Sequence, residues 1–90
     1  MKQIILDLQG AKDLTEIHQR LKNVFELPEY YGNNMDALWD CLYCLYDMPV
    51  RITIKGLETL PENLSNSVDA MLKVFSDLQK SDTNVQVQLI

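Results

Sequence analysis

Residues 27–45 read Leu27-Pro28-Glu29-Tyr30-Tyr31-Gly32-Asn33-Asn34-Met35-Asp36-Ala37-Leu38-Trp39-Asp40-Cys41-Leu42-Tyr43-Cys44-Leu45, a turn that runs directly into an amphipathic helix. Proline biases its neighbour toward extended or turn geometry, and glycine permits a left-handed backbone, so Pro28 and Gly32 shape the turn. Asn33 or Asn34 can cap the helix that follows. Asn33 has Asp36 three residues on, a variant of the capping box, and Asp36 also lies in the first turn, where the helix dipole favours negative charge. Leu38, Cys41, Leu42 and Leu45 recur at i, i+3, i+4 and i+7 and form the buried stripe. Asp36, Asp40, Tyr43 and Asp47 recur around another face, bordered by Trp39, with Tyr30 and Tyr31 brought alongside by the turn. Aromatic residues clustered with carboxylates suggest the centre of an interface. Composition alone favours the plainer reading, a core tryptophan beside a solvated acidic face.

Upstream, residues 2–8 (KQIILDL) are apolar and β-branched, are bounded by Gly10, and read as a buried strand. Asp13 caps a first helix with Glu16 at its N3 position. Leu14, Ile17, His18, Leu21, Val24 and Phe25 supply its apolar stripe, and Leu27-Pro28 ends it. His18 on that stripe reads as a partly buried residue with one satisfied nitrogen. Downstream, residues 50–54 (VRITI) form a second strand that stops at Gly56. Residues 57–64 fit either a short helix or an irregular packed connection. Asn66 and Asp69 pair as cap and N3 of a last helix, whose stripe is Val68, Met71, Leu72, Phe75 and Leu78 and which closes near Lys80. Asp77 faces away from that stripe. The alternation of residues 85–90 (VQVQLI) indicates a last strand with a wetter face or an open edge.

Strands separated by helices in this order predict an α/β fold, a small three-stranded parallel sheet packed with helices and joined by right-handed crossovers. Ninety residues form one domain, 1–90, able to bury roughly 65% of the surface of the unfolded chain. No apolar run is long enough to cross a membrane, and the N-terminal MKQIILDLQG lacks the apolar segment of a secretory signal, so a cytoplasmic location is expected. Thirteen acids against eight bases give a net charge of −5, which disfavours nucleic acid or an anionic membrane as direct partner and suits a basic protein. Three glycines are too few for a phosphate-binding loop as well as the turns.

Cys41 and Cys44 form a CxxC late in the central helix, near its negative end, where thiolates are disfavoured. They read as reduced packing residues, with no metal and no cofactor expected. Asp36 and Asp40, four apart, could in principle share a proton or hold a hard cation as an enzyme's acid pair. A single exposed helix face offers no concave pocket for such chemistry.

The motif LPEYYG–N–DALWDCL, at Leu27–Gly32, Asn34 and Asp36–Leu42, resembles the barstar family of intracellular inhibitors of barnase-type ribonucleases. The likeness continues in the DLxxIHQxLK pattern of Asp13–Lys22, in the proline before strand two, and in VxxxLxVF at Val68–Phe75. The resemblance implies a three-stranded parallel sheet with packed helices and a protein that mimics RNA. Carboxylates on the second helix would stand where phosphate oxygens bind in the basic cleft of a secreted ribonuclease, in a 1:1 complex. By motif position, Asp40 would enter the phosphate site, Asp36 would pair with cations at the rim, and Tyr30 would pack on the cleft. Gly32 and Asn34 would shape the loop, while Trp39 would brace the helix and the contact surface. Tyr43, Leu45 and Asp77 complete the implied partner-binding set, Asp77 replacing a glutamate of the family. Asn33, Tyr43, Cys44 and Leu45 depart from the family pattern on or near this surface. A barstar-like immunity or binding protein for another basic partner is the neighbouring reading. The resemblance also implies a cis Met48–Pro49 bond and a monomer when no partner is bound.

Overall fold

The structure, a computed structural model, describes residues 2–29, 31, 34–42, 49–81 and 84–90. The elements run β1 (Lys2–Asp7), α1 (Leu14–Phe25), α2 (Met35–Leu42), β2 (Val50–Lys55), α3 (Ser65–Ser81) and β3 (Val85–Leu89), with two short 3-10 turns between β2 and α3. This is the expected α/β order, and the three strands form one parallel sheet in the order β1-β2-β3. The registers place Ile4 beside Ile52 and Val50 beside Val85. Backbone bonds from Lys2 N–H to the Pro49 carbonyl and from Val50 N–H to the Asn84 carbonyl carry the ladder past the strand ends. The Met48–Pro49 bond, expected to be cis, involves a residue outside the described set.

A sheet whose strands step in one direction without reversal receives every right-handed crossover on the same face. The burial pattern agrees. Ile4, Leu6, Val50, Ile52, Ile54 and Val85 are buried, whereas Gln3, Gln86 and Gln88 are exposed. β1 is therefore not the fully buried strand its composition suggests: Ile5 is 57% exposed. An apolar run cannot reveal which of its members lack a covering layer, and here the topology leaves one face bare. Polar pairs occupy that face, including Gln88 Nε2 donating to Thr53 Oγ1 at 3.1 Å. β3 lies at an edge of the sheet with Gln86 and Gln88 on its wet face, as its sequence indicated, but burial alternates only over Val85–Val87, because Leu89 at the strand end is exposed.

The covered face holds the core. Leu6, Leu8, Ile17, Leu21, Leu38, Ile52, Ile54, Met71 and Phe75 are essentially inaccessible to water. Phe25 of α1 and Phe75 of α3 meet with ring centroids 5.8 Å apart. Burying such a side chain contributes about 1.5–3 kcal/mol, which ties the two helices to each other as well as to the sheet.

The N-terminus of α1 forms as its sequence predicts. Asp13 accepts from the Glu16 N–H at 2.9 Å, and Glu16 returns a bond from the Lys12 N–H at 2.8 Å. Its end comes earlier than Leu27-Pro28. Glu26 takes a left-handed conformation (φ 52°), and both Glu26 and Leu27 donate to the Lys22 carbonyl. The ambiguous connection resolves into 3-10 turns at Leu57–Thr59 and Glu62–Leu64. The second runs straight into α3 from Pro61, whose extended backbone (ψ 143°) and carbonyl bond to Leu64 N–H start the helical turn. Asn66 is consequently inside α3 and does not cap it. The expected Asn66–Asp69 cap gives way to a helical turn that starts with Glu62, upstream of Asn66.

Candidate protein-binding site

The site begins with the turn that precedes α2. Tyr31 N–H donates to the Pro28 carbonyl at 2.9 Å. The Tyr31 ring then points inward and is 6% exposed, so it belongs to the core and not to the aromatic outer surface suggested by its position. Its hydroxyl shares a 2.6 Å hydrogen bond with Nδ1 of His18, the one buried polar side chain among the described residues. Burial pulls the His18 imidazole below its ordinary range. Burial, and secondarily Cys41, pushes the Tyr31 phenol up to about 12, so both partners are neutral at neutral pH. This bond pins the turn to α1. The satisfied nitrogen of His18 was legible in the sequence; its partner was not, because the two residues meet only across the tertiary fold.

Asn34 is the residue that caps α2. Its side-chain oxygen accepts from Ala37 N–H at 2.7 Å and its carbonyl from Leu38 N–H. Leu38 and Leu42 anchor the inner face of α2 in the core. Helical spacing then turns Asp36 and Asp40 outward into solvent, with Trp39 half-buried beside them. Cys41 is a thiol packed against the core.

α3 supplies the opposite wall. Ala70, Lys73, Val74 and Asp77, at i, i+3, i+4 and i+7, face a cleft of about 500 Å³ whose other side is Met35, Asp36, Trp39 and Asp40. Four of the residues singled out in the sequence, Asp36, Trp39, Asp40 and Asp77, thus converge on one concavity. The acidic face is not the flat helix surface expected from sequence, because a second helix stands beside it. Among the described residues no three His, Cys, Asp or Glu side chains form a metal-ligand set, so the three acids line the cleft without meeting at a point. A smaller hollow of about 300 Å³, lined by His18, Asn34, Asn66 and Ser67 among others, shares Met35 and Ala70 with the acidic cleft. Asn34 therefore adjoins the acidic cleft through the hollow it helps to line. Tyr30, Gly32, Tyr43 and Leu45 lie outside the described residues, as do Asn33 and Cys44. Sequence reasoning missed Lys73. Its spacing from Asp77 was visible, but nothing local indicated that this side of α3 would meet α2.

Comparison with known proteins bears on this geometry. The family model described as "Barstar (barnase inhibitor)" matches residues 1–90. The chain is also 35% identical over 80 residues to a Bacillus subtilis (strain 168) protein named "Putative ribonuclease inhibitor YrdF", covering 89% of this chain and 88% of that protein. No helix among the described residues is long and apolar enough to cross a membrane.

Proposed function

The chain belongs to the barstar family, and from that premise we propose that it is a cytoplasmic inhibitor of a barnase-type ribonuclease, binding one enzyme molecule and blocking its basic cleft. The observation that supports this most is the convergence of Asp36 and Asp40 from α2 with Asp77 from α3 on one cleft beside Trp39. A ribonuclease must hold phosphate with arginine, lysine or histidine donors, and carboxylates satisfy the same donors through charge-assisted bonds. Asp40 enters the phosphate site in this reading. Asp36 and Asp77 meet cations nearer the rim, and Tyr30, Gly32, Asn34, Tyr43 and Leu45 complete the contact surface.

The helical scaffold explains how so few groups suffice. Asp36 and Asp40 are carried on a backbone already ordered by Leu38 and Leu42, so docking forfeits little entropy beyond that of the side chains. The net charge of −5 draws a cationic enzyme in and speeds association, an effect that salt weakens. The protein acts by covering a site, with no cofactor and no direct nucleic-acid contact, and it is not itself an enzyme. A barstar-like binding protein for another basic partner is the second reading, favoured by the departures at Asn33, Tyr43, Cys44 and Leu45.

The test is to mix the protein with a barnase-type ribonuclease and follow RNA cleavage at increasing inhibitor concentration, with a chelator present throughout. Stoichiometric loss of cleavage is expected. Undiminished cleavage at excess protein would refute the barnase-type target and leave the second reading standing.

A further inference from the structure

We propose that Lys73 is a specificity-determining residue of the acidic cleft, one that disfavours uniformly cationic surfaces and selects a partner pairing its cations with a hydrogen-bond acceptor. The proposal rests on the inhibitory reading of this cleft and concerns which basic surfaces it accepts. Lys73 is exposed and lies on the same wall as Asp77, one helical turn before it, opposite the α2 wall that holds Asp36 and Asp40. Successive turns of a helix are about 6 Å apart for residues i and i+4. A guanidinium seated on Asp77 is therefore brought close to the Lys73 ammonium as well.

The lysine is not consumed by its acidic neighbours. Among the described residues no ion pair within 4.0 Å joins Lys73 to Asp36, Asp40 or Asp77; the pair that does form is Lys55–Asp7 at 3.9 Å, on the open face of the sheet. Asp69, four residues before Lys73 in the order that favours a pair on one helix, forms none with it within 4.0 Å either, and Asp77, four residues after it, stands in the weaker order. The ammonium thus remains a positive charge within a cleft whose other three ionisable groups are acids. A surface made only of arginine and lysine gains from the three carboxylates and loses at Lys73. A surface that also carries a carboxylate or a backbone carbonyl within reach of Lys73 gains at every group. Charge complementarity of this kind discriminates between partners more than it adds raw affinity.

The experiment compares the unsubstituted protein with Lys73→Gln, Lys73→Glu and Asp40→Ala, measuring the affinity of each at low salt for a hexa-arginine peptide and for an inactive barnase-type ribonuclease. Exposed charge pairs contribute modestly, so Lys73→Gln is expected to tighten hexa-arginine binding about two- to fivefold, and Lys73→Glu further. The preference for the ribonuclease over the peptide should fall in the same order. Unchanged or weaker peptide binding by Lys73→Gln and Lys73→Glu overturns the proposal, as does a peptide that binds none of the proteins. Asp40→Ala separates the two levels of inference. If it binds the ribonuclease as well as the unsubstituted protein does, the inhibitory reading of the cleft fails and Lys73 is judged through the peptide alone; if it binds more weakly, a ribonuclease preference that does not fall in the lysine variants also overturns the proposal.

Discussion

On its inner side α2 rests on Leu38 and Leu42, both buried, above a turn locked by the Tyr31–His18 hydrogen bond. On its outer side the same helix holds Asp36 and Asp40 in water across a cleft from Lys73 and Asp77. The two regions answer to different physics. The inner one excludes water, so every atom that leaves it is missed by the folded state. The outer one is solvated in the free protein, and its charges become valuable only when a partner removes the water. Substitutions beneath the helix should therefore change stability and spare affinity, and substitutions in the cleft should do the reverse.

Gly56 gives the largest expected effect on the supporting side. It adopts φ +84°, and a Cβ there would sit 2.3 Å from the backbone nitrogen of Gln9. Gly10 is also left-handed (φ +79°) but has open space around it. Gly56→Ala adds a backbone collision to the left-handed penalty and should lower stability by about 2–4 kcal/mol in urea denaturation, with Gly10→Ala costing about half as much. Equal losses at the two glycines would show that the close approach of the β1–α1 and β2–α3 connections carries no energetic weight.

Asp40→Ala is the counterpart in the cleft. If Asp40 satisfies cations of the enzyme on docking, as proposed, its removal should weaken ribonuclease binding by about 2 kcal/mol or more, mostly through faster dissociation. Its own stability should shift by no more than about 0.5 kcal/mol, since the residue is exposed in the free protein. Stopped-flow association and dissociation, beside a denaturant melt, check both halves. A variant that loses stability and keeps affinity would invert the comparison.

The Tyr31–His18 pair tests the support more finely. Tyr31→Phe leaves the His18 nitrogen without its buried partner and should cost about 1–3 kcal/mol of stability. The sign of the accompanying pH effect follows from burial. The folded state holds the His18 pKa below its ordinary 6.5, so the unfolded chain binds the proton first as pH falls. This contribution to stability is complete above about pH 6.5 and is lost as pH drops toward the folded-state pKa. Urea midpoints measured from pH 8 to pH 5 should decline through that window, and His18→Gln should flatten the histidine part of the decline. Stability that rose on acidification through the same range would contradict a neutral buried imidazole.

The smallest effect is expected at Glu26, held left-handed at φ 52° where α1 ends. Glycine relieves the Cβ contact but has more unfolded-state entropy to lose, so Glu26→Gly should stabilise by about 0.5–1 kcal/mol. Thermal denaturation will detect a gain of that size, and ribonuclease affinity should not move with it.

Element order, the Asp13 cap, the buried stripes of α1, α2 and α3 over the described residues and the candidate acids of α2 follow from the sequence by itself. Each depends on chain neighbours a few residues apart, where helical and strand periodicity and side-chain-to-backbone capping act. The motif from Leu27 to Leu42 carried the family resemblance for the same reason, since its residues are contiguous. Tertiary structure alone decided what required distant segments to meet. It left one face of the sheet bare, exposing Ile5, because all the helices cross on the other side. It drew Tyr31 inward to His18, whereas the starts of α2 and α3 rest on local bonds, from Ala37 N–H to the Asn34 side chain and from Leu64 N–H to the Pro61 carbonyl, among which the sequence pattern did not choose. It also set α3 beside α2, turning a helix face into a cleft with Lys73 on its wall. Lys73 and Asp40 are 33 positions apart in the chain, so no local pattern could pair them; only the packing of both helices on the same side of the sheet brings their charges into one site.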